Sequence, residues 1–308
     1  MRPGTEDRPA PWPLRALARP LETRPHLRHA LRMLWFGRHP ATTIYESVGD
    51  DFFMALAPGW LNLGLWEGPG DAAEAPLAPR RLVEALCEPL PTGGVILDVA
   101  NGLGVQDVVI DELVRPRRLI ALNLTEFQLR AGRAALRQAS ALPVVADATR
   151  LPVATGVVDG LICVEAAFHF RSRAAFFAEA RRVLRAGGVL TFSDVLATRL
   201  PRDPVEAFAG LPSLRFWGVR LRTVASPAKL ERLLRAAGFA DISVRRCGDV
   251  VFDPVVRFGR ERLRTLRGVP LAQRWAAQGM LSQWELLRRR GLLEYVLVQA
   301  VAPPSPGP

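Results

Sequence analysis

The residues best suited to chemistry stand where apolar runs end. Val95-Ile96-Leu97-Asp98-Val99-Ala100-Asn101-Gly102-Leu103-Gly104 reads as a buried strand that finishes on an acid and turns through glycines into a helix. Glycines at 102 and 104 permit unusual dihedrals and let a ligand approach the backbone closely. A dinucleotide fingerprint would carry a third glycine at position 107, where this chain has Asp107. Carboxylates beside the turn suit an amino-bearing or sulfonium ligand better than a phosphate. A purely structural turn is the alternative reading of this motif taken alone. One strand later, Ile120-Ala121-Leu122-Asn123-Leu124-Thr125 sets Asn123, both donor and acceptor, at a strand end suited to ribose hydroxyls. After a third strand comes Ala146-Asp147-Ala148-Thr149. Asp147 there either accepts from an adenine amino group or closes an Asx turn.

Two further segments carry groups that could move or orient a proton. Val164-Glu165-Ala166-Ala167-Phe168-His169-Phe170 follows a fourth apolar run, and Thr191-Phe192-Ser193-Asp194-Val195 ends a fifth. His169 is the only histidine beyond residue 40. An imidazole with an ordinary pKa of about 6.5 suits a general base. Asp194 is expected to point into the same cleft, orienting His169 or binding substrate. The alternative for His169 is packing between Phe168 and Phe170. Glu165 reads as a contact to ligand or loop backbone.

The elements that must position these groups alternate strand with helix. Strands are expected at 95–100, 118–124, 142–146, 157–165 and 188–195. Helices are expected at 102–114, at 125–139 with Thr125 as N-cap, and at 172–185 closed by Gly187-Gly188. Such alternation implies parallel strands with crossover helices, hence a doubly wound α/β sheet. Residues 196–226 read as irregular. A helix at 227–237, a strand at 240–250, one or two helices over 253–290 and a last strand at 292–301 follow.

In order and spacing, these segments resemble the class I S-adenosylmethionine-dependent methyltransferases of the small-molecule type, over roughly residues 60–250. Asp98 to Gly104 resembles that family's first motif, and Leu122-Asn123-Leu124-Thr125-x-x-Gln128 its second-strand segment. Ala146-Asp147-Ala148-x-x-Leu151-Pro152 is similar to the adenine segment, and Arg181 to Gly188 to the helix–turn before the fifth strand. The resemblance implies a Rossmann-like sheet of order 3-2-1-4-5-7-6 with the last strand antiparallel and helical cap insertions. It implies S-adenosyl-L-methionine as cofactor, with Asp98, Ala100, Gly102 and Gly104 on its methionine side. Asn123, Leu124 and Gln128 would lie at the ribose, Asp147 and Ala148 at the adenine, and Glu165 nearby. Asn62-Leu63-Gly64-Leu65-Trp66 resembles a segment that closes over the cofactor. Trp66 and Tyr45 could offer an aromatic face to the sulfonium, or simply pack. By the same resemblance His169 and Asp194 match a His and an Asp thought to activate the acceptor hydroxyl. Ala100 and Asn123 depart from the commoner glycine and acid without removing a required group.

The expected organisation is an N-terminal basic arm and covering segment (1–75), a methyltransferase domain (76–303) with cap segments near 196–226 and 251–291, and a disordered tail (304–308). Phe208, Phe216, Trp217, Trp275, Met280 and Trp284 could face the cleft and favour a hydrophobic acceptor, or pack the cap itself. The reading is methyl transfer to the hydroxyl of a small hydrophobic or glycosylated metabolite. C- or N-methylation, and a cofactor-binding scaffold without catalysis, stay open.

Composition limits the classes. The net charge is +11, but Lys229 is the only lysine among 41 basic residues, and the arginines are spread along the chain. That pattern fits compositional drift on solvated faces rather than a nucleic-acid stripe. The Asn/Asp-Pro-Pro-aromatic motif of amino-directed nucleic-acid enzymes is absent. Cys87, Cys163 and Cys247 are widely spaced and lack metal-ligand spacing, so reduced thiols and no metal are expected. No apolar run reaches membrane-spanning length, and the Arg- and Pro-rich start has no signal-peptide core. Residues 14–36 could form an amphipathic basic helix. A cytoplasmic protein with a small-molecule partner, no nucleic acid and no integral membrane contact is expected; a homodimer is compatible with the sequence.

Overall fold

The computed structural model describes residues 54–216, 225–269 and 271–304. Seven strands form one mixed sheet: β1 (Val95–Val99), β2 (Arg118–Asn123), β3 (Leu142–Val145), β4 (Val158–Cys163), β5 (Leu184–Ala197), β6 (Ala240–Arg246) and β7 (Leu293–Val301). Their order is β3-β2-β1-β4-β5-β7-β6. Strands β1 to β5 pair in parallel, and β7 runs antiparallel to both β5 and β6. This is the arrangement implied by the resemblance. The described helices are α1 (Ala78–Cys87), α2 (Val105–Val114), α3 (Glu126–Ala131), α4 (Arg133–Gln138), α5 (Arg173–Val183), α6 (Pro204–Phe216), α7 (Pro227–Ala236), α8 (Gly248–Thr265) and α9 (Leu271–Arg289).

Alternation along the central strands explains why helices cover both faces. In β1, Ile96 joins an apolar cluster with Leu82, Ile110 and Phe252, whereas Leu97 and Val99 join another with Phe176, Phe177 and Leu234. In β4, Ile162 goes to the first cluster, Leu161 and Cys163 to the second. Successive side chains of a strand point to opposite faces, so α1, α2 and α8 pack on one side and α5 and α7 on the other. Each buried Leu or Phe contributes about 1.5–3 kcal/mol relative to exposure. The sheet is thereby fixed between two cores, and its C-terminal strand ends are left to carry polar loops.

Local departures from expectation have identifiable causes. The helix expected over 125–139 is two helices jointed at Gly132, because a Cβ there would collide with the Leu103 carbonyl of the glycine turn. Thr125 occupies the N-cap position, but its hydroxyl caps nothing. Helix α5 stops at Val183, and Gly187, with φ of 75°, bends the already started strand β5 rather than closing a helix. Its N–H donates to Ala302 O at 2.7 Å. Residues expected to be irregular contain α6, which Asp203-Pro204-Val205-Glu206 announces: Asp203 Oδ1 accepts from Glu206 N at 2.8 Å, and Pro204 opens the helix. Strand β6 ends at Arg246 instead of 250, because Gly248 already begins α8, its N–H bound by Glu294 Oε1 at 3.0 Å. The basic segment 14–36, Tyr45, Trp217 and the tail from 305 lie outside the described residues. No helix among the described residues is long and apolar enough to cross a membrane.

Candidate functional site

The loops after β1, β2, β3 and β4 converge at one edge of the sheet, where strand order reverses between β1 and β4. Open α/β sheets bind ligands at such a point. After β1 the backbone is left-handed at Ala100 (φ 63°), Gly102 (φ 60°) and Gly104 (φ 79°). Ala100 N and Asn101 N both donate to Leu122 O, at 2.7 and 3.3 Å, tying the turn to β2. Gly104 then starts α2. A Cβ on Gly102 would find only Leu61 Cδ1, at 3.5 Å, so the turn's outer side is open.

Beneath this turn lies a buried polar network. Gln106 Nε2 donates to both oxygens of Asp98, at 2.9 and 2.7 Å. Asn101 Nδ2 donates to Asp107 Oδ2 at 2.8 Å. Asp107 Oδ1, sealed from solvent, has no hydrogen-bond partner among the described residues. Asp98 and Asp107 are fully enclosed, and burial pushes both pKa values up, with the Asp98 charge raising Asp107 further. From Asn101 the network continues to β2. Asn123 Nδ2 donates to Asn101 Oδ1 at 3.1 Å, and Thr125 N donates to Asn123 Oδ1 at 3.0 Å. The Thr125 hydroxyl stands 3.1 Å from Gln128 Oε1. Asn123 and Gln128 are thus buried supports of the turn, whereas Leu124 is exposed beside them. After β3, Asp147 Oδ1 closes an Asx turn on Thr149 N and Oγ1, both at 2.8 Å; Ala148 is buried next to it.

The ends of β4 and β5 hold the remaining predicted groups. Glu165 is left-handed (φ 49°), and its N–H donates to Ser193 Oγ at 2.9 Å. Its Oε1 accepts from Leu63 N and from Tyr295 Oη, each at 2.7 Å. Burial raises this carboxyl to about 7 against both hydrogen bonds. His169 ends a short 3-10 turn (Ala167–His169), half-buried, its ring 4.1 Å from that of Phe168. Asp194 is fully enclosed and bound by Arg173, Nε to Oδ2 at 2.7 Å and Nη2 to Oδ1 at 3.0 Å. It also accepts from the backbone N–H groups of Val195 and Phe168, so it anchors the turn that carries His169. Burial raises its pKa, and the Arg173 charge opposes that. Trp66 is buried against Phe258, and its indole N–H donates to Leu63 O at 2.9 Å.

The structure therefore gathers Asp98, Ala100, Gly102, Gly104, Asn123 and Gln128 in one linked assembly. A second assembly joins Glu165, Ser193 and Tyr295 to Leu63, and a third joins Asp194 and Arg173 to the His169 turn. Gln106, Arg173 and Tyr295 were missed. Their partners are remote in sequence; only the polar Gln106, at the start of an otherwise apolar helix face, was a signal. Of the aromatic cap residues, Trp284 packs on Phe252, and Phe208 and Trp275 are exposed.

A seven-stranded sheet of this order with a glycine turn after β1 defines a Rossmann-like methyltransferase fold. Residues 97–192 match the model of a methyltransferase domain. The erythromycin 3''-O-methyltransferase of Saccharopolyspora erythraea is 29% identical over 237 residues, spanning 73% of this chain and 76% of that protein. The dimethylglycine N-methyltransferase of Parasynechococcus marenigrum is 30% identical over 212 residues, 64% of this chain and 71% of its own length. Among solved structures, geranyl diphosphate C-methyltransferase from Streptomyces coelicolor A3(2), in complex with S-adenosyl-L-homocysteine among other ligands, superposes with a TM-score of 0.65 at 16% identity. That superposition covers 79% of this chain and 87% of the other. The chain belongs to the class I S-adenosylmethionine-dependent methyltransferases that act on small molecules. S-adenosylmethionine is its methyl donor, and the open outer side of Gly102 above buried carboxyls fits an adenosyl ligand that is also a cation.

Proposed function

We propose that this enzyme methylates a hydroxyl of a small hydrophobic or glycosylated metabolite by in-line displacement, with His169 as general base. When bound, the donor supplies an electrophilic methyl on a sulfonium. Asp147 and Ala148 flank its adenine, and Asn123, Leu124 and Gln128 stand at ribose level. Asp98, Ala100, Gly102 and Gly104 hold the methionine side, with Glu165 beyond them and Trp66 fixing the covering segment. His169 removes the hydroxyl proton. Asp194 is a positioning residue: it holds the turn through Phe168 N–H and is itself held by Arg173. Of the expected cap segments, α6 and α9 are the described elements that would select the acceptor, since α8 packs on the sheet.

The observation that carries this reading is the partly exposed His169 on an anchored turn at the β4 end. Likeness to a relative named as erythromycin 3''-O-methyltransferase supports it. N-methylation is the second reading, favoured by likeness to the dimethylglycine enzyme. His169→Ala separates the two. For a hydroxyl acceptor, kcat should fall about 10²–10⁴-fold, with S-adenosylhomocysteine affinity within roughly threefold. The assay is transfer of a labelled methyl group to a panel of hydroxylated and amino metabolites. A His169→Ala enzyme with undiminished turnover rules out the base.

A further inference from the structure

Methylating a neutral hydroxyl converts one cation and one alcohol into a thioether, an ether and a free proton. The site needs a group that balances the cation beforehand and takes up a proton afterwards. Three buried carboxyls stand around the turn and the β4 end without an ion-pair partner among the described residues: Asp98, Asp107 and Glu165. Asp98 is held by Gln106 and Asp107 by Asn101, and the remaining oxygen of Asp107, Oδ1, is sealed away from any ligand. Glu165 is different. Its Oε1 takes two hydrogen bonds, from Leu63 N and Tyr295 Oη. Its Oε2 has no hydrogen bond among the described residues and is not one of the sealed polar atoms that lack a partner. Part of the residue's 9% exposure therefore lies at that oxygen.

The position suits the task. The proposed adenine, ribose and glycine-turn contacts follow β3, β2 and β1 in sheet order, and β4 is next. Glu165 lies two residues past β4, where the methyl-bearing end of such a ligand must arrive. The inference rests on that reading of the site.

We propose that Glu165 is the charge-compensating carboxyl of the methyl donor: ionised while the donor carries its sulfonium, and protonated on Oε2 once the thioether has formed. In the transfer, the acceptor oxygen forms a bond to the methyl carbon, the carbon–sulfur bond breaks, and its electron pair stays on sulfur. The proton lost by the acceptor is taken by His169 and leaves through it to solvent, while Glu165 takes up one proton from solvent as the sulfonium charge disappears. Formal charge in the pocket is the same before and after, which a buried site requires. In the free enzyme, burial sets this carboxyl at about 7, so it is mostly neutral at pH 6.5. Tyr295 of β7 is the titratable group touching it, with Cys247 behind; Tyr295 is held far on its protonated side and remains a donor. Asp98 on β1 and the Asp194–Arg173 pair on β5 and α5 stand at the adjoining strand ends.

The test is proton release on binding, measured calorimetrically at pH 6.5 in buffers of different ionisation heat. S-adenosylmethionine should displace a substantial fraction of a proton from the wild type, and S-adenosylhomocysteine much less. Glu165→Gln, whose Oε1 keeps both donors, should abolish the difference. It should weaken S-adenosylmethionine about tenfold while leaving S-adenosylhomocysteine within about threefold. Tyr295→Phe removes one stabilising donor, raises the carboxyl further and should increase the release. Equal release by the two ligands, release undiminished in Glu165→Gln, or equal loss of both ligands from that variant overturns the proposal. A wild type that binds neither ligand overturns the reading of the site itself and this inference with it.

Discussion

Replacing Arg173 by Met should destabilise the protein by about 3–5 kcal/mol, the usual effect of stranding one member of a buried ion pair. The structure sets the magnitude. Arg173 and Asp194 side chains are 4% and 0% exposed, with a 2.7 Å contact in a two-pronged arrangement. Without the guanidinium, Asp194 keeps only two backbone N–H donors, from Val195 and Phe168. Urea unfolding reads the effect directly. With a slope of about 3 kcal/mol per molar for a chain of this size, the midpoint should fall by roughly 1–1.7 M at pH 7.5. The deficit has a sign in pH. In the variant, Asp194 has a folded-state pKa raised still further above its unfolded value of about 3.9. Its penalty is full above the folded value and absent below the unfolded one, so the variant should recover toward wild type as pH falls to about 4. Combining Arg173→Met with Asp194→Asn removes the stranded charge and should restore at least half of the loss. If the single change shifts the midpoint by less than about 0.3 M, or the double variant is worse than the single, the pair is not the buried anchor described.

Two further outcomes follow. Folded-state pKa values of Glu165, Asp98 and Asp107 are raised, so the native state holds more protons than the unfolded chain between about pH 4 and 7. Stability of the ligand-free enzyme should therefore fall on raising pH from 5.5 to 7.5, by up to about 1.4 kcal/mol per unit for each group; a rise in urea midpoint over that interval contradicts it. Ala100→Gly removes about 1 kcal/mol of left-handed strain and adds about 0.4–1 kcal/mol of unfolded-chain freedom, so melting should barely move. Gly132→Ala, by contrast, should displace the glycine turn against Leu103, lowering both the melting temperature and S-adenosylhomocysteine affinity; unchanged titration curves reject the packed joint.

The sheet was legible because its signal is local. Apolar runs near 95–99, 118–123 and 158–163 each carry a polar residue at or just past their end (Asp98, Asn123 and Glu165) and are followed by helical periodicity. Elements misjudged in sequence depend on contacts made elsewhere. Gly132 breaks a helix because Leu103, 29 residues earlier, needs the space. Gly187 sits in a strand because Ala302, just past β7, supplies its carbonyl. Helix α6 was within reach, since Asp203-Pro204-Val205-Glu206 is a start signal in its own right. In the site, Asp98, Asn123, His169 and Asp194 were identifiable from strand ends. What each one touches was not: Gln106, Arg173 and Tyr295 reach them only through the fold.

The distribution of charge at the strand ends links fold to chemistry. Asp98, Asp107, Glu165 and Asp194 are all buried along one edge of the sheet, yet among the described residues only Asp194 has an arginine. A chain with 41 basic residues could have neutralised the rest, and on the proposed reading their separation from arginine leaves them to face a cationic ligand. The unpaired carboxyls weaken the ligand-free protein and are held by neutral donors instead: an amide at Asp98, an amide at Asp107, a phenol and a peptide N–H at Glu165. Such donors orient a carboxyl without cancelling its charge. The paired Asp194 can hold the His169 turn rigid through any change of ligand charge, whereas the unpaired group at Glu165 can follow that change by gaining or losing a proton.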